Sequence, residues 1–107
     1  MANPLAYPFQ SLGYVTVAAA GTPQPMSATS LKVRGLTASA FKAKGTPNVG
    51  ANAYILDAGG NVLFTIPKGQ VFPVPLSHPQ LSEMIDLSNL YVDVDTNGDA
   101  LQISALI

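Results

Sequence analysis

The sequence predicts an all-β fold, an antiparallel β-sandwich or small barrel of about seven or eight short strands. Three observations carry this. Apolar and polar residues alternate with a period of two in short runs, as in Leu31-Lys32-Val33-Arg34 and Tyr91-Val92-Asp93-Val94. Glycine and proline turns interrupt the chain at intervals of roughly 8–12 residues. Helix has little support: Ser77–Leu87 fits one short turn near 79–86, where Ser77 or His78 would cap it and Pro79 would take its first position, and the alanine-rich 36–44 allows a helix that no cap or 3.6-residue stripe supports.

Taken in order, residues 1–11 read as an extended N-terminal arm and residues 12–107 as a single sandwich domain. Pro4 and Pro8 prevent a helix and disfavour a central strand. Pro4, Leu5, Tyr7, Pro8 and Phe9 are interface candidates, because two aromatics on so short an arm call for a surface to dock on. Leu12–Ala20 is a β-branched strand ended by Gly21-Thr22-Pro23. Leu31–Lys44 is strand-like, with Gly35 predicting a bulge and Gly45-Thr46-Pro47 ending the run. Ala51–Asp57 and Val62–Ile66 form a hairpin around Ala58-Gly59-Gly60-Asn61. Val71–Leu76 holds two prolines and reads as an edge strand. Asn89–Ile107 is expected to close the fold as a second hairpin on Asn97-Gly98, with a type I′ turn. That register sets Val94 against Leu101 and Val92 against Ile103, leaving Asp93 and Asp95 on the other face.

Composition narrows the function. Only 10% of residues are charged, against about 25% in ordinary soluble domains. A surface so weakly solvated favours burial against neighbours, so an oligomer or assembly component is expected. With no cysteine there is no disulfide framework and no thiolate chemistry. Neither a secretory leader nor a membrane-length apolar run is visible, which predicts a soluble protein made in the cytoplasm, with no membrane partner. The net charge is −1. Lys32, Arg34, Lys42 and Lys44 fall in one stretch and every acidic residue comes later. Pairing between strands of one domain, or between patches on adjacent copies, would use that asymmetry. Nucleic acid is not expected as a partner, because the basic residues are few and lack interleaved aromatics.

Candidate chemistry is sparse. Asp93, Asp95, Asn97 and Asp99 imitate the start of an EF-hand loop, with Gly98 at the sixth position. Ser104 stands where the bidentate Glu belongs and the flanks alternate like strands, so no metal is expected there. His78, the sole histidine, lacks a nucleophile elbow to serve. No phosphate loop or dinucleotide fingerprint is present. The sequence predicts no catalytic residue, no cofactor and no enzyme.

Four motifs carry a family resemblance: Ser30–Arg34 (SLKVR), Asn52–Ile55 (NAYI), Pro67–Gln70 (PKGQ) and Leu87–Asp99 (LSNLYVDVDTNGD). Through these, residues 25–107 resemble the small β-sandwich structural proteins of tailed bacteriophages. The resemblance implies a capsid decoration or cement protein on the virion, binding the major capsid protein on the outside of the lattice. It also implies a homo-oligomer, with trimers at symmetry axes. A tail, baseplate or fibre-adaptor component is the nearest alternative. A carbohydrate-binding or host-adhesion module is the alternative from another class. Such modules stack sugars on exposed tryptophan or clustered tyrosine. This chain has no tryptophan, and Tyr7, Tyr14, Tyr54 and Tyr91 are scattered.

Overall fold

The computed structural model of the chain describes residues 9–74 and 85–106. In chain order the strands are β1 (Phe9–Thr16), β2 (Gln24–Pro25), β3 (Lys32–Val33), β4 (Gly35–Ser39), β5 (Phe41–Ala43), β6 (Thr46–Pro47), β7 (Asn52–Leu56), β8 (Val62–Pro67), β9 (Val71–Val74), β10 (Ile85–Asp86), β11 (Tyr91–Val94) and β12 (Ala100–Leu106). Eight of them build two antiparallel sheets of four. Sheet A has the order β1-β12-β4-β9 and sheet B the order β2-β11-β7-β8. The pairs β10-β3 and β5-β6 are short ladders at the margins.

The all-β antiparallel sandwich expected from the alternation is the fold observed. Inward positions of both sheets are Val, Leu, Ile and Ala, and the largest fully buried side chains include Ile55, Ile66, Leu87, Leu101 and Ile103. Alanines at Ala38, Ala53, Ala100 and Ala105 are wholly buried and bring the sheets close. The described tyrosines stay out of the core: Tyr14 is exposed, and Tyr54 and Tyr91 are half-buried. On one side the edges β8 and β9 meet, and the rings of Phe64 and Phe72 lie 5.5 Å apart across the seam.

The closing hairpin is corrected. β11 pairs with β2 and β7 in sheet B, whereas β12 pairs with β1 and β4 in sheet A. Asn97-Gly98 is the arch between the sheets. Val92, Val94, Leu101 and Ile103 are all buried, but they meet across the core instead of side by side. The turn geometry explains this. A type I′ hairpin needs positive φ at both central residues; here φ is positive at Gly98 (85°) but not at Asn97, nor at any other non-glycine among the described residues. The Asp99 N–H donates to the Thr96 carbonyl. Positive φ at the third residue alone is the type II pattern, which splays the flanking strands.

Other expectations move less. The β7-β8 hairpin forms, with Ala53 opposite Ile66 and Tyr54 opposite Thr65 and an irregularity at Ile55–Leu56. Gly35 marks a change of sheet, not a bulge: β3 pairs with β10, and β4 with β12 and β9. The bulge lies instead at Leu12–Gly13, where Gly13 takes φ 82°. The strand expected at Leu12–Ala20 runs from Phe9 to Thr16, so Phe9, Gln10 and Ser11 belong to sheet A and the arm is shorter than 1–11. Of the helical turn near 79–86, residues 79–84 lie outside the described residues, while Ile85–Asp86 is strand. A 3-10 turn follows at Leu87–Asn89, capped by the Asp86 side chain.

Candidate interaction surface

The outward positions of sheet A form an uncharged face. One cross-strand row is Tyr14, Gln102, Ser39 and Val71, and the next is Ser11, Ser104, Thr37 and Pro73. The cause is the period of two: each inward residue, such as Leu36, Ala38, Leu101, Ile103 or Ala105, leaves a small hydroxyl or amide residue facing out. No residue in β1, β4, β9 or β12 is charged. Charge sits beyond the strand ends, with exposed Arg34 just before β4 and exposed Lys42 just after it. The basic stretch is thus divided between two ends of one strand. A charge-free centre bordered by charged positions is the layout of an interaction surface.

The edges of the two sheets differ. The Lys68 N–H donates to the Ala51 carbonyl at 2.9 Å, the Ala40 N–H to Gln70 at 3.0 Å and the Met26 N–H to Leu90 at 2.8 Å. Ladder alternation then turns Pro67 of β8, Pro73 of β9 and Pro25 of β2 toward the open side. Each of these edges lacks a donor where a further strand would bind. β1, the fourth edge, contains no proline and no charge.

The acidic loop works as a set of stitches. Asp93 Oδ1 accepts the Gly21 N–H at 2.8 Å, and Asn97 Oδ1 accepts the Ala20 N–H at 2.8 Å. On the other side, Asp95 accepts the Asn52 N–H at 3.1 Å and the Tyr54 hydroxyl at 2.7 Å. Asp99, only 1% exposed, accepts the Val49 N–H at 3.0 Å and the Gly50 N–H at 2.7 Å. Asn48, 3% exposed, exchanges two hydrogen bonds with Ala100. These oxygens diverge, toward Ala20 and Gly21 on one side and toward Val49–Gly50 and the start of β7 on the other, instead of converging on one point. Among the described residues, no group of three or more His, Asp or Glu is placed to hold a metal ion.

The described acidic residues outside this loop also tie down backbone. Asp57 accepts the Gly59 and Asn61 N–H groups in the β7-β8 turn. Asp86 accepts from the Ser30 hydroxyl, the Leu31 N–H and the Ser88 N–H and hydroxyl. Hydrogen bonds from Ser30 and then Ser88 hold the Asp86 carboxyl well below its usual range, and those from Asn61 lower Asp57. The hydrogen bond to Asp95, with burial, raises the Tyr54 hydroxyl. The described carboxylates are thus engaged by N–H and O–H groups.

Of the predicted interface residues, Phe9 lies in β1 opposite Leu106; Pro4, Leu5, Tyr7 and Pro8 are outside the described residues, as is His78. The sandwich puts Tyr14 on the outer face of sheet A, and Tyr54 and Tyr91 on sheet B. Pro23, Leu56, Asp57, Ala58, Gly60 and Tyr91 line an open depression of about 270 Å³ on sheet B. Sequence reasoning missed the uncharged face itself. Its signal was available: every charge in Leu31–Lys44 falls outside Gly35–Ser39. The chain matches no protein-family model, no curated protein and no solved structure.

Proposed function

We propose that the protein is a non-enzymatic structural component of a tailed-phage virion, a decoration or cement protein that binds the outside of the capsid lattice and stabilises it. The resemblance of residues 25–107 motivates the reading, and the uncharged outer face of sheet A is the observation that carries it. That face is the contact surface toward the major capsid protein. Its size fits the role. Four strands about 4.8 Å apart, with residues spaced about 3.3 Å, give a footprint of roughly 300–400 Å². A stable pairwise interface buries about 800 Å² per partner. One copy therefore binds weakly, and a regular array of many copies gains its hold from multivalency.

The test is occupancy on purified capsids, read by gel densitometry and cryo-electron microscopy. Thr37→Lys and Ser104→Lys put charge at the centre of the face without touching the core. Their expected outcome is loss of capsid binding with unchanged melting temperature. Full occupancy of both variants overturns the assignment of this face. A few copies at one vertex moves the protein to the tail, and no copies removes the virion reading.

A further inference from the structure

We propose that the open edge of β1 is a self-association site, at which a second copy of this chain adds its own β1 antiparallel across a two-fold axis through Val15. This stands apart from the virion reading, because it concerns the free protein.

The argument begins with what the other edges lack. β2, β8 and β9 each turn a proline toward the open side, and a strand docking there meets a missing donor. Such devices are how sheet proteins block unwanted edge pairing. β1 has none, although with eight residues it is the longest edge strand. Among the described residues it pairs on one side only, with β12.

The ladder states which groups are offered. The Val17 N–H donates to the Asp99 carbonyl at 3.0 Å. Alternation along the register Val15–Leu101, Tyr14–Gln102 and Thr16–Ala100 turns the N–H and C=O of Tyr14 and Thr16 outward. Below them the bulge at Leu12–Gly13 breaks the spacing, and above them the strand ends. The usable edge is therefore short and centred on Val15.

A second copy fits this edge better than a foreign strand, because the edge complements itself. With Val15 opposite Val15 of the second copy, Tyr14 of each copy faces Thr16 of the other. Both outward residues then exchange N–H and C=O bonds, four in all, and no like charges oppose. Tyr against Thr is an aromatic–β-branched pair, a favourable cross-strand combination. The product is a continuous sheet in which the uncharged outer faces of both copies join. Four bonds hold the pair loosely, so association is concentration-dependent.

Sedimentation equilibrium of the full chain over a wide concentration range is the first measurement, with reversible dimer expected. Val15→Cys supplies the register. The two Val15 positions would form a non-hydrogen-bonded pair with Cα atoms about 4.5 Å apart, within disulfide range. Since the chain has no other cysteine, V15C should crosslink under mild oxidation and S104C, one strand inward, should not. T16P removes one outward N–H, and the double variant Y14K/T16K opposes like charges; each should abolish the dimer while the circular dichroism of the monomer is retained. A monomer at every concentration, equal crosslinking of V15C and S104C, or dimerisation of a folded Y14K/T16K variant at the wild-type level overturns the proposal.

Discussion

Asp99 is buried with a carboxylate that serves two backbone N–H groups in the loop leading to β7. Asp99→Ala strands the buried Gly50 N–H and the part-buried Val49 N–H, and a buried unsatisfied group costs about 1–3 kcal/mol. Urea unfolding should therefore show a loss of about 3 kcal/mol, with Asp99→Asn losing less because one acceptor oxygen survives. The next residue in that contact makes an independent check. A Cβ on Gly50 would lie 2.6 Å from Thr96 Oγ1 and 3.0 Å from Asp95 Cβ. Gly50→Ala is thus expected to be destabilising through steric clash, measurable in the same experiment. The half-buried Asp57 and Asp86 set the pH response. Asp86 and Asp57 have folded pKa values below their ordinary 3.8. Their contribution is complete above that value and is lost as pH falls through the folded pKa values. The melting temperature should be flat near neutrality and drop in acid below about pH 4, and Asp86→Asn should flatten the drop. Tyr54 behaves oppositely. Its raised pKa contributes stability below its ordinary 10.0, lost as pH rises through the folded value.

Elements show where reading the sequence succeeded and where it stopped. The β7-β8 hairpin was legible because its two runs flank one short turn and have no other partner nearby in the chain. β11 and β12 share the same alternation, and Val92, Val94, Leu101 and Ile103 were correctly placed in the core. Alternation reports which face is buried, not which strand lies beside it. Two strands facing each other across a sandwich write the same pattern as two strands adjacent in one sheet. The deciding term was φ at Asn97, which Asn-Gly leaves open. Gly98→Ala tests the arch: with φ at 85°, a side chain there should cost roughly 1–2 kcal/mol. The seam between β8 and β9 has its own check. A double-mutant cycle on Phe64→Leu and Phe72→Leu should return a coupling of about 0.5–1.5 kcal/mol from the tilted ring pair.

At the scale of the molecule, a shortage of charge was readable from composition, but its distribution was not. Only the strand order brings four uncharged segments, distant in sequence, into one face. Likewise the stitching role of Asp93, Asp95, Asn97 and Asp99 needed the fold, because their partners lie more than 40 positions away. Their even spacing has a metal-ligand reading on paper and a loop-tying role in space. The shortened arm leads to another expectation. Deleting residues 2–8 keeps every described pairing of β1 with β12. Extending the deletion through Ser11 removes pairing with β12 and should lower stability. If the arm docks on the capsid, the shorter deletion also reduces occupancy.

The central place of β12 in sheet A, between β1 and β4, bears on the history of each molecule. On the ribosome, β1 and β4 emerge long before the strand that joins them. The β7-β8 hairpin can close from local contacts, whereas sheet A must wait for Ala100–Leu106 and then close loops as long as the span from Phe9 to Leu106. Folding dominated by such remote pairings runs in milliseconds to seconds, not microseconds. A chain halted at Asp99 holds all four strands of sheet B and the β4-β9 pair but lacks the strand that joins β1 to β4. During that wait β1 and the edge of β4 that faces β12 are exposed together.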